Sequence, residues 1–568
     1  MTNIVARLID RCLTSPDRIA LGFHRDGRWD DWTYRRLLHR AHDHAQALAS
    51  RGVRPGERVL ILMEFDSDVA AAFLGAMLHG AVPGFLSPPT PKLQPDLYAS
   101  HLSALIDSSG AVAVILDRAS AAPVARSLRE QSRIARILRE EVLEGPAVPV
   151  VEMPQANAAG GDVAFVQYSS GTTGLRKAVP LSHVKVLAQA ERLACALALS
   201  PTDRISSWLP LYHDMGLIGS FIAPLIMGIP ADMSCPFAWT ARPRLLLEML
   251  ATRRGTLAFL PNFAFNHLAL TVEERPRLDL GHVRALINCS EVCRADSHDR
   301  FVARFQNWGI GHEQLMTCYA MAEAVFATTA TVPGQPVRRM HVDADSFASH
   351  GSVIAATPGR RVQTCLSVGR PLPGMQVRII GEHGEPLPEN QVGEIEIAGP
   401  CVFDGYLSAN GSATGKRADG WFATGDRGFL SDGEMFVTGR LKDTIIVNGR
   451  NVHAPDIEAI ALRVHGIKPG RAVALPLFND VSGSEDILIL AEAREPERME
   501  QPPDLRVVAR ELRRAVAEHT GLNPRVDFVP PGWLVKTSSG KLARHENLKR
   551  YQDFLVIRTG EKVQNADA

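Results

Sequence analysis

Residues 163–183, VAFVQYSSGTTGLRKAVPLSH, join an apolar strand to a turn that is rich in hydroxyl groups and glycine. The apolar part, residues 163–167, has the length and composition of a strand buried on both faces. The turn and the lysine after it offer hydrogen-bond donors from hydroxyl, backbone N–H and ammonium groups. These belong to Ser169, Ser170, Gly171, Thr172, Thr173, Gly174 and Lys177. Such a run is often only a surface turn, but the strand before it and the lysine after it predict a cradle for a polyphosphate. It is not a Walker A loop, because Lys177 stands three residues after Gly174 and Ala178 follows it.

Short apolar segments of the same kind occur on both sides of this stretch, and helical stretches rich in Ala and Leu separate several of them. They are residues 58–63 (RVLILM), 112–116 (VAVIL) and 283–288 (VRALIN). The alternation predicts an α/β fold whose strands are mostly parallel and buried on both faces. After Pro371, closely spaced strand and turn signals from MQVRII to DGEMFVTGR favour an antiparallel or barrel-like subdomain.

A smaller α+β pattern begins at Leu441. It predicts helices at residues 454–464 and 505–519, and strands at residues 472–478 and 486–491. We therefore expect a large N-terminal domain, residues 1–440, that contains the parallel sheets and the barrel-like subdomain. A small α+β C-terminal domain, residues 441–568, is expected to follow it.

The composition of the 568 residues is that of a soluble globular protein, with 45% hydrophobic and 22% charged residues. The 62 Lys and Arg residues balance the 62 Asp and Glu residues, which argues against a nucleic-acid-binding protein. Residues 1–18 have no signal-peptide core, and the longest apolar stretch, residues 217–231, is too short and too often interrupted to span a membrane. The eight cysteines form no CxxC pair, so we expect reduced thiols and a cytoplasmic protein.

Further patches carry side chains that suit a nucleotide and a divalent cation. They are residues 208–219 (WLPLYHDMGLIG), 317–323 (TCYAMAE), 421–426 (WFATGD), 439–443 (GRLKD) and 536–541 (KTSSGK). Tyr319 offers an aromatic ring for a flat base, and Glu323 offers a carboxylate for a hard cation. His213 lies between apolar runs, where a satisfied core histidine is an equally good explanation.

Taken in order, the motifs YSSGTTG…K, LPLYHDMG, TCYAMAE, WFATGD, GRLKDTIIVNGRN and KTSSGK resemble those of the adenylate-forming superfamily. This superfamily comprises acyl-CoA synthetases, nonribosomal peptide synthetase adenylation domains and luciferases, and the resemblance covers nearly the whole chain. It implies that the small C-terminal domain is mobile. It also implies two steps, in which a carboxylic acid and ATP give an acyl adenylate and pyrophosphate, and a thiol or an amine then takes the acyl group.

The resemblance also implies a nucleotide site in this sequence. Thr172, Thr173 and Lys177 would hold the ATP phosphates together with the rest of their turn, and Thr172 and Glu323 would bind Mg²⁺. Asp426 and Arg440 would bind the ribose. The adenine pocket would consist of Ser290, Glu291, Thr317, Cys318, Tyr319, Ala320 and Met321.

Three residues are expected to act in the reaction itself, namely Lys541, His213 and Lys442. Lys541 would reach between the carboxylate oxygen and the α-phosphate, where a cation offsets the charge that develops in the transition state. Lys442 matches the hinge about which the small domain of the family turns between the two half-reactions.

Within the superfamily, the sequence is most similar to the fatty acyl-AMP ligases, which hand the acyl group to an acyl carrier protein instead of coenzyme A. The similarity lies in residues 84–91 (GFLSPPTP), 213–219 (HDMGLIG) and 448–458 (NGRNVHAPDIE). The segment between Glu323 and Gly369 is also long, and the ligases carry an insertion there. In that family the insertion is thought to restrict the small domain or to disfavour coenzyme A.

Some positions depart from the family pattern. Cys289 and Ala320 replace glycines beside the expected adenylate and acyl groups. Each replacement adds at least a Cβ atom, so we expect a narrower pocket and an acid that is shorter, branched or otherwise specialised.

Two other functions stay open at this point. The chain could be an acyl- or aryl-CoA synthetase with a degenerate insertion, or a binding protein that kept the fold without the catalysis. The presence of Lys541, Glu323, Asp426 and Arg440 argues against the second of these, because a non-catalytic relative would be free to lose them.

Two clusters outside these motifs have residue types that bind metals. His39, His42 and His44 fall in TYRRLLHRAHDHAQALA and are predicted to lie on the polar face of a helix. Cys289 and Cys293 are predicted to be small buried residues, since further ligands at a metal-site spacing are lacking.

Overall fold

The computed structural model describes residues 3–88, 95–130, 134–146, 148–150, 153, 158–169, 177–407, 415–447, 450–479, 484–494, 504–537 and 541–559. The strands are β1 (Ile19–Arg25), β2 (Arg28–Thr33), β3 (Arg58–Leu62), β4 (Val82–Phe85), β5 (Ala113–Leu116), β6 (Ala135–Leu138), β7 (Val163–Ser169), β8 (Lys177–Ser182), β9 (Ile205–Ser207), β10 (Ala231–Ser234), β11 (Leu257–Leu260), β12 (Ala285–Asn288), β13 (Leu315–Ala320), β14 (Ala327–Ala330), β15 (Arg339–Asp343), β16 (Val362–Leu366), β17 (Arg370–Pro371), β18 (Gln376–Ile380), β19 (Gly393–Ala398), β20 (Phe422–Ser431), β21 (Glu434–Arg440), β22 (Thr444–Val447), β23 (Arg450–His453), β24 (Ile467–Asn479), β25 (Ser484–Ala493) and β26 (Arg525–Val529).

The α-helices alternate with these strands over much of the chain. They are α1 (Ile4–Thr14), α2 (Tyr34–Ser50), α3 (Ser67–His79), α4 (Pro95–Ser109), α5 (Arg118–Glu130), α6 (His183–Ala196), α7 (Ala223–Met227), α8 (Pro236–Ala241), α9 (Arg244–Arg253), α10 (Asn262–Thr271), α11 (Ala295–Phe305), α12 (Ala344–His350), α13 (Ala454–Ala461), α14 (Leu505–Thr520) and α15 (Arg544–Thr559). A π-helical segment (Met215–Ile222) runs directly into α7. This order confirms the predicted α/β class.

A nine-stranded sheet forms the centre of the large N-terminal part, in the order β17-β14-β13-β12-β11-β9-β10-β1-β2. Its six middle strands are parallel, while β2, β14 and β17 add antiparallel edges. The middle strands are largely buried on both faces, and β11 accordingly reads as a continuous apolar run, whereas β9 and β10 also contain buried Ser and Asp residues. The carboxyl ends of β11, β12 and β13 therefore meet at one edge of the sheet.

A second parallel sheet, in the order β4-β3-β5-β6, contains two of the predicted strands. The strand at residues 163–167 departs from the expected pattern, because β7 forms an antiparallel pair with β8. Ser169 and Lys177 are directly opposite each other in that pair. They flank residues 170–176, the greater part of the predicted phosphate turn, which lies outside the described residues.

The predicted change of texture after Pro371 is confirmed by a four-stranded antiparallel sheet, in the order β18-β19-β20-β21. This sheet is open, so the barrel-like form expected from the sequence is not closed among the described residues. Two further strands, β15 and β16, pair beside it, and α12 lies between them in the chain. Phe347 of α12 packs with Phe429 and Phe436 of the open sheet in a small buried cluster.

The chain after Leu441 forms a smaller α+β unit. The sheet β24-β25-β26 and the pair β22-β23 are surrounded by α13, α14 and α15, which confirms the helices and strands predicted there. Its buried clusters draw on residues from Ile445 to Tyr551, whereas the N-terminal clusters draw on residues from Ile4 to Phe436. Each part thus packs around apolar side chains of its own.

Two predictions about metal-like clusters have different outcomes. His44 is fully buried on α2, with Nε2 3.2 Å from Asp68 Oδ1, and His42 is also buried, so a polar helix face is the wrong prediction for both. The contact with Asp68 gives the buried imidazole a hydrogen-bond partner, so a histidine can face the core. Cys289 and Cys293 are buried as predicted.

None of the helices in the described part of the chain is long and apolar enough to cross a bilayer.

Candidate active site

The candidate site lies at the edge where the parallel strands β11, β12 and β13 end. In sheets of this kind, ligands bind beyond the carboxyl ends of the strands. Ser290 and Glu291 follow the end of β12, Met321 and Glu323 follow the end of β13, and the C-terminal unit contributes Lys541. The site is therefore assembled from segments that are distant in the sequence.

Lys541 precedes α15 and is positioned by two hydrogen bonds with Thr537. The Thr537 backbone N–H donates to Lys541 O at 2.7 Å, and the Lys541 N–H donates to Thr537 Oγ1 at 3.2 Å. The ammonium group donates to the carbonyl oxygen of Ser290 at 2.7 Å. Burial lowers the pKa of Lys541 below its ordinary value, and the nearby carboxylate of Glu291 opposes this shift.

Ser290 adopts a left-handed backbone conformation, with φ of 66°. Non-glycine residues adopt this conformation rarely and often at functional sites. Its hydroxyl oxygen is buried and finds no hydrogen-bond partner among the described residues. A buried polar atom without a partner is costly, so this position suits a ligand with a hydrogen-bonding group.

Asp426 and Arg440 are brought together by the antiparallel pairing of β20 and β21, in which they stand opposite each other. Arg440 Nε lies 3.1 Å from Asp426 Oδ1, and the buried hydroxyl of Tyr319 donates to Asp426 Oδ2 at 2.6 Å. Burial raises the pKa of Tyr319 well above its ordinary value, and the Asp426 charge adds to the shift. The tyrosine therefore stays a neutral donor that fixes the carboxylate.

Glu323 lies on a short 3₁₀ turn (Ala322–Ala324). It is hydrogen-bonded to Tyr406, which was not predicted as a site residue. The Tyr406 hydroxyl donates to Glu323 Oε1 at 2.5 Å, and Lys177 Nζ lies 4.5 Å from the centroid of the Tyr406 ring. Tyr406 thus separates the predicted metal ligand from the predicted phosphate-binding lysine. Burial raises the pKa of Glu323 above its ordinary value, and the hydrogen bond from Tyr406 opposes that rise.

His213 and Asp214 stand at the N-terminal end of the π-helical segment. His213 Nδ1 lies 2.6 Å from Asp214 Oδ1, and the Met215 N–H donates to the same oxygen at 2.7 Å. Burial opposes ionisation of Asp214, yet the histidine and the backbone N–H hold its pKa below the usual value. Such π-helical turns occur frequently at functional sites.

The other predicted pocket residues differ in what their side chains contact. Glu291 Oε2 accepts from the Phe263 N–H at 2.9 Å. Thr317 is fully buried and donates to Ser367 O at 2.7 Å, so its hydroxyl is held within the fold. Cys318 is buried against the Cys289 thiol. Ala320 and Met321 are half-buried beside the core.

Some predicted residues are not brought into this cluster by the described structure. Ser170, Gly171, Thr172, Thr173 and Gly174 lie outside the described residues, as does the side chain of Ser169. Lys442 is exposed on the turn Leu441–Asp443 that connects β21 to β22.

Ion pairs connect the C-terminal unit to the N-terminal part next to Ser290. Arg294 bonds Asp456 of α13 at 2.7 Å, and Arg463 is paired with Asp296. The helix α12 also packs against β23. No local pattern indicates these ion pairs, because their partners are more than 150 residues apart in the chain.

The donor set suits a magnesium nucleotide. Mg²⁺ usually takes one or two protein carboxylates and completes its shell with phosphates and water. Glu323 supplies one such carboxylate, and among the described residues no cluster of three or more His, Cys, Asp or Glu is arranged to hold a metal by itself. These residues therefore fit a cation that arrives with its phosphates.

Comparison with known proteins agrees with this geometry. The AMP-binding enzyme family matches residues 9–407. The long-chain-fatty-acid–AMP ligase FadD26 of Mycobacterium marinum is 31% identical, over 92% of this chain and 91% of that protein. The medium-chain-fatty-acid–[acyl-carrier-protein] ligase JamA of Moorena producens is 29% identical, over 88% of this chain and 87% of that protein.

A solved structure from work on the fatty acyl-adenylate ligases of E. coli and L. pneumophila superposes with a TM-score of 0.87 at 28% identity. It covers 98% of this chain, and this chain covers 99% of it. Both the sequence and the fold are therefore shared along nearly the full length. The chain belongs to the AMP-binding enzyme family and, within that family, to the fatty acyl-AMP ligases.

Proposed function

We propose that this enzyme condenses a carboxylic acid with ATP to an acyl adenylate and pyrophosphate, and then transfers the acyl group to an acyl carrier protein. The observation that carries the proposal is the position of Lys541, a half-buried residue whose ammonium group lies 2.7 Å from Ser290 O, just beyond the end of β12. A carboxylate that attacks a phosphate brings two negative charges together. A cation fixed at that point lowers the barrier, because it offsets charge without having to reorganise.

The nucleotide is oriented by the residues around this lysine. Asp426, held by Tyr319 and Arg440, accepts hydrogen bonds from the ribose hydroxyls. Lys177 contacts the phosphates, and Glu323 binds the Mg²⁺ that accompanies them. Bound Mg²⁺ supplies charge neutralisation for the leaving pyrophosphate.

The first step forms a bond between a carboxylate oxygen and the α-phosphorus and breaks the bond from that phosphorus to the β-phosphate oxygen. In the second step, a thiolate attacks the acyl carbon and AMP leaves. The ion pairs Arg294–Asp456 and Arg463–Asp296 support the arrangement in which Lys541 reaches the site. Rotation of residues 441–568 about Lys442 would withdraw the lysine and admit the second substrate.

An acyl carrier protein is favoured over coenzyme A as the acceptor by the contact between α12 and β23. This contact lies in the segment where the ligases carry their insertion, and it bears on the unit that must move. JamA, which is named for a carrier-protein acceptor, is related along most of its length.

Mass spectrometry after incubation with ATP, Mg²⁺ and a panel of carboxylic acids tests the proposal, with coenzyme A or a carrier protein added to parallel samples. We expect an acyl adenylate that carrier protein consumes and coenzyme A does not. Rapid conversion to acyl-CoA would instead identify a CoA synthetase. Absence of adenylate with every acid would indicate a binding protein.

A further inference from the structure

One face of the main sheet ends at Ser290, whose carbonyl oxygen accepts from Lys541, and an acyl chain that extends into the protein from this point would lie along that face. Side chains alternate along a strand, so Ile287 and Cys289 share a face, as do Met316 and Cys318 on the neighbouring strand. The parallel register places Phe259 beside Ile287 and Ile287 beside Met316. The contact between the Cys289 and Cys318 thiols shows that these side chains point to the same side.

The π-helical segment covers this face, and two aromatic rings occupy the space between them. Phe259 and Phe326 are 1% and 0% exposed, with ring centroids 5.4 Å apart at an interplanar angle of 76°. A Cβ atom added to Gly219 would lie 3.2 Å from Phe259 Cε2 and 3.1 Å from Phe326 Cε1. The two rings thus reach the backbone of the π-helical segment.

The distance along the strands from Ser290 to the level of these rings follows from strand geometry. This distance is the depth available to an acyl chain. Cys289 immediately precedes Ser290, the residue that contacts Lys541, and Phe259 is level with Ile287, two residues earlier. Two residues of a strand span about 7 Å. Since protein cores are close-packed, an acyl chain longer than this depth would have to displace a fully buried ring.

We infer that the site takes a compact apolar carboxylic acid, short, branched or flat, and that Phe259 and Phe326 set the upper limit on its length. The inference rests on the proposed function and specifies its acid. It separates this chain from the relatives that are named for medium-chain and long-chain acids. The added bulk of Cys289 at the mouth of the same space acts in the same direction.

The test compares kcat/KM for acyl adenylate formation with butanoate, 3-methylbutanoate, benzoate and dodecanoate. For the unmodified enzyme, we expect the best compact acid to exceed dodecanoate by about tenfold or more. Phe259→Ala should raise kcat/KM for dodecanoate about tenfold or more, because it removes one of the two rings that limit the length of the acyl chain. The matched control is Phe301→Ala, which removes an equally buried ring on α11 that packs against Phe265 and Phe305.

Gly219→Ala provides a second variant that changes the space in the opposite sense. Its Cβ crowds both rings, so the ratio of kcat/KM for benzoate to that for butanoate should fall several-fold. If a folded Gly219→Ala protein keeps the ratio of the unmodified enzyme, the inference is wrong. This result decides the question even if Phe259→Ala does not fold.

The outcomes separate the inference from the function on which it rests. A preference of the unmodified enzyme for dodecanoate would overturn the inference and leave the proposed function standing. Formation of no adenylate from any of the four acids, or from any acid of the wider panel, would overturn both.

Discussion

The contact between the ammonium group of Lys541 and the carbonyl oxygen of Ser290 joins two residues that are 251 positions apart. It places a single positive charge where the acid and the α-phosphate are proposed to meet. The proposed chemistry is thereby assigned to one side chain. The role of this lysine can therefore be measured by substitution.

Substitution Lys541→Ala should lower kcat for acyl adenylate formation by about 10²- to 10³-fold, because one preorganised transition-state charge is lost. ATP binding should persist, since Asp426, Arg440 and Lys177 remain. Pyrophosphate release and equilibrium binding of ATP provide the two measurements. The control is Lys549→Ala, which changes an exposed lysine on α15. Unchanged turnover in Lys541→Ala would refute the mechanism.

The same lysine predicts a pH dependence. Because burial lowers its pKa from 10.5, the protonated form and the activity should be lost at a lower pH than for an exposed lysine. Glu291 raises that pKa, so Glu291→Gln should move the alkaline limb of the kcat profile to still lower pH. Glutamine retains an oxygen that can accept from the Phe263 N–H. An alkaline limb that stays in place would show that another group controls it.

Single residues were predicted from the sequence where their chemistry was distinctive and local. Asp426 and Arg440 fall in recognisable motifs, and the pairing of β20 with β21 brings them together. Tyr406 was not predicted, because a lone tyrosine after Gly405 gives no signal until the fold brings it to Glu323. The burial of His44 was missed for the same reason, since its partner Asp68 lies on another helix.

At the scale of elements, the π-helical segment is the most constrained part of the site. His213 and Asp214 immediately precede it. The segment is packed so closely that a Cβ atom on Gly216 would lie 2.2 Å from Pro210 O. That neighbour is backbone and cannot rotate away. The element thus depends on a glycine for close approach.

Gly216→Ala should reduce the free energy of unfolding by about 1–3 kcal/mol, the usual cost of overpacking. Urea unfolding followed by circular dichroism gives the value. Gly161→Ala is the matched control, because a Cβ atom there meets nothing within 4 Å. Equal stability of the two variants would show that the segment can relax.

Strands and helices were predictable from the sequence to the extent that their patterns are local. The apolar runs at β3, β5 and β12 were identified correctly, and so were α13 and α14. The antiparallel pairing of β7 was not, because burial on both faces looks the same whichever way the neighbour runs. The open form of the β18–β21 sheet depends on closure between distant strands, which no local pattern records.

At the scale of the whole molecule, the ion pairs Arg294–Asp456 and Arg463–Asp296 connect the two parts. Arg294 and Asp456 are both about one-fifth exposed, and Arg294 follows Ser290 closely in the chain. A charge pair at such an interface stabilises one relative position of the parts more than others. It therefore bears on the first half-reaction more than on the second.

Arg294→Gln, Asp456→Asn and the double substitution form a cycle that measures this contact. We expect each single change to lower kcat for adenylate formation, and the cycle to give a coupling free energy of about 1 kcal/mol. Acyl transfer from preformed acyl adenylate to carrier protein should not slow. Additive effects on adenylate formation would mean that the pair does not hold the parts in place.

The three cysteines near the site have a chemical consequence of their own. An acyl adenylate is a mixed anhydride that acylates thiolates, and Cys318 and Cys293 are buried a few residues from where it would form. The Cys289 contact and burial raise the pKa of Cys318 well above its usual value, and burial does the same for Cys293. Because a protonated thiol is a poor nucleophile, we expect Cys293 and Cys318 not to compete with the incoming acceptor. A thiol-reactive product can thus lie close to these two thiols without acylating them.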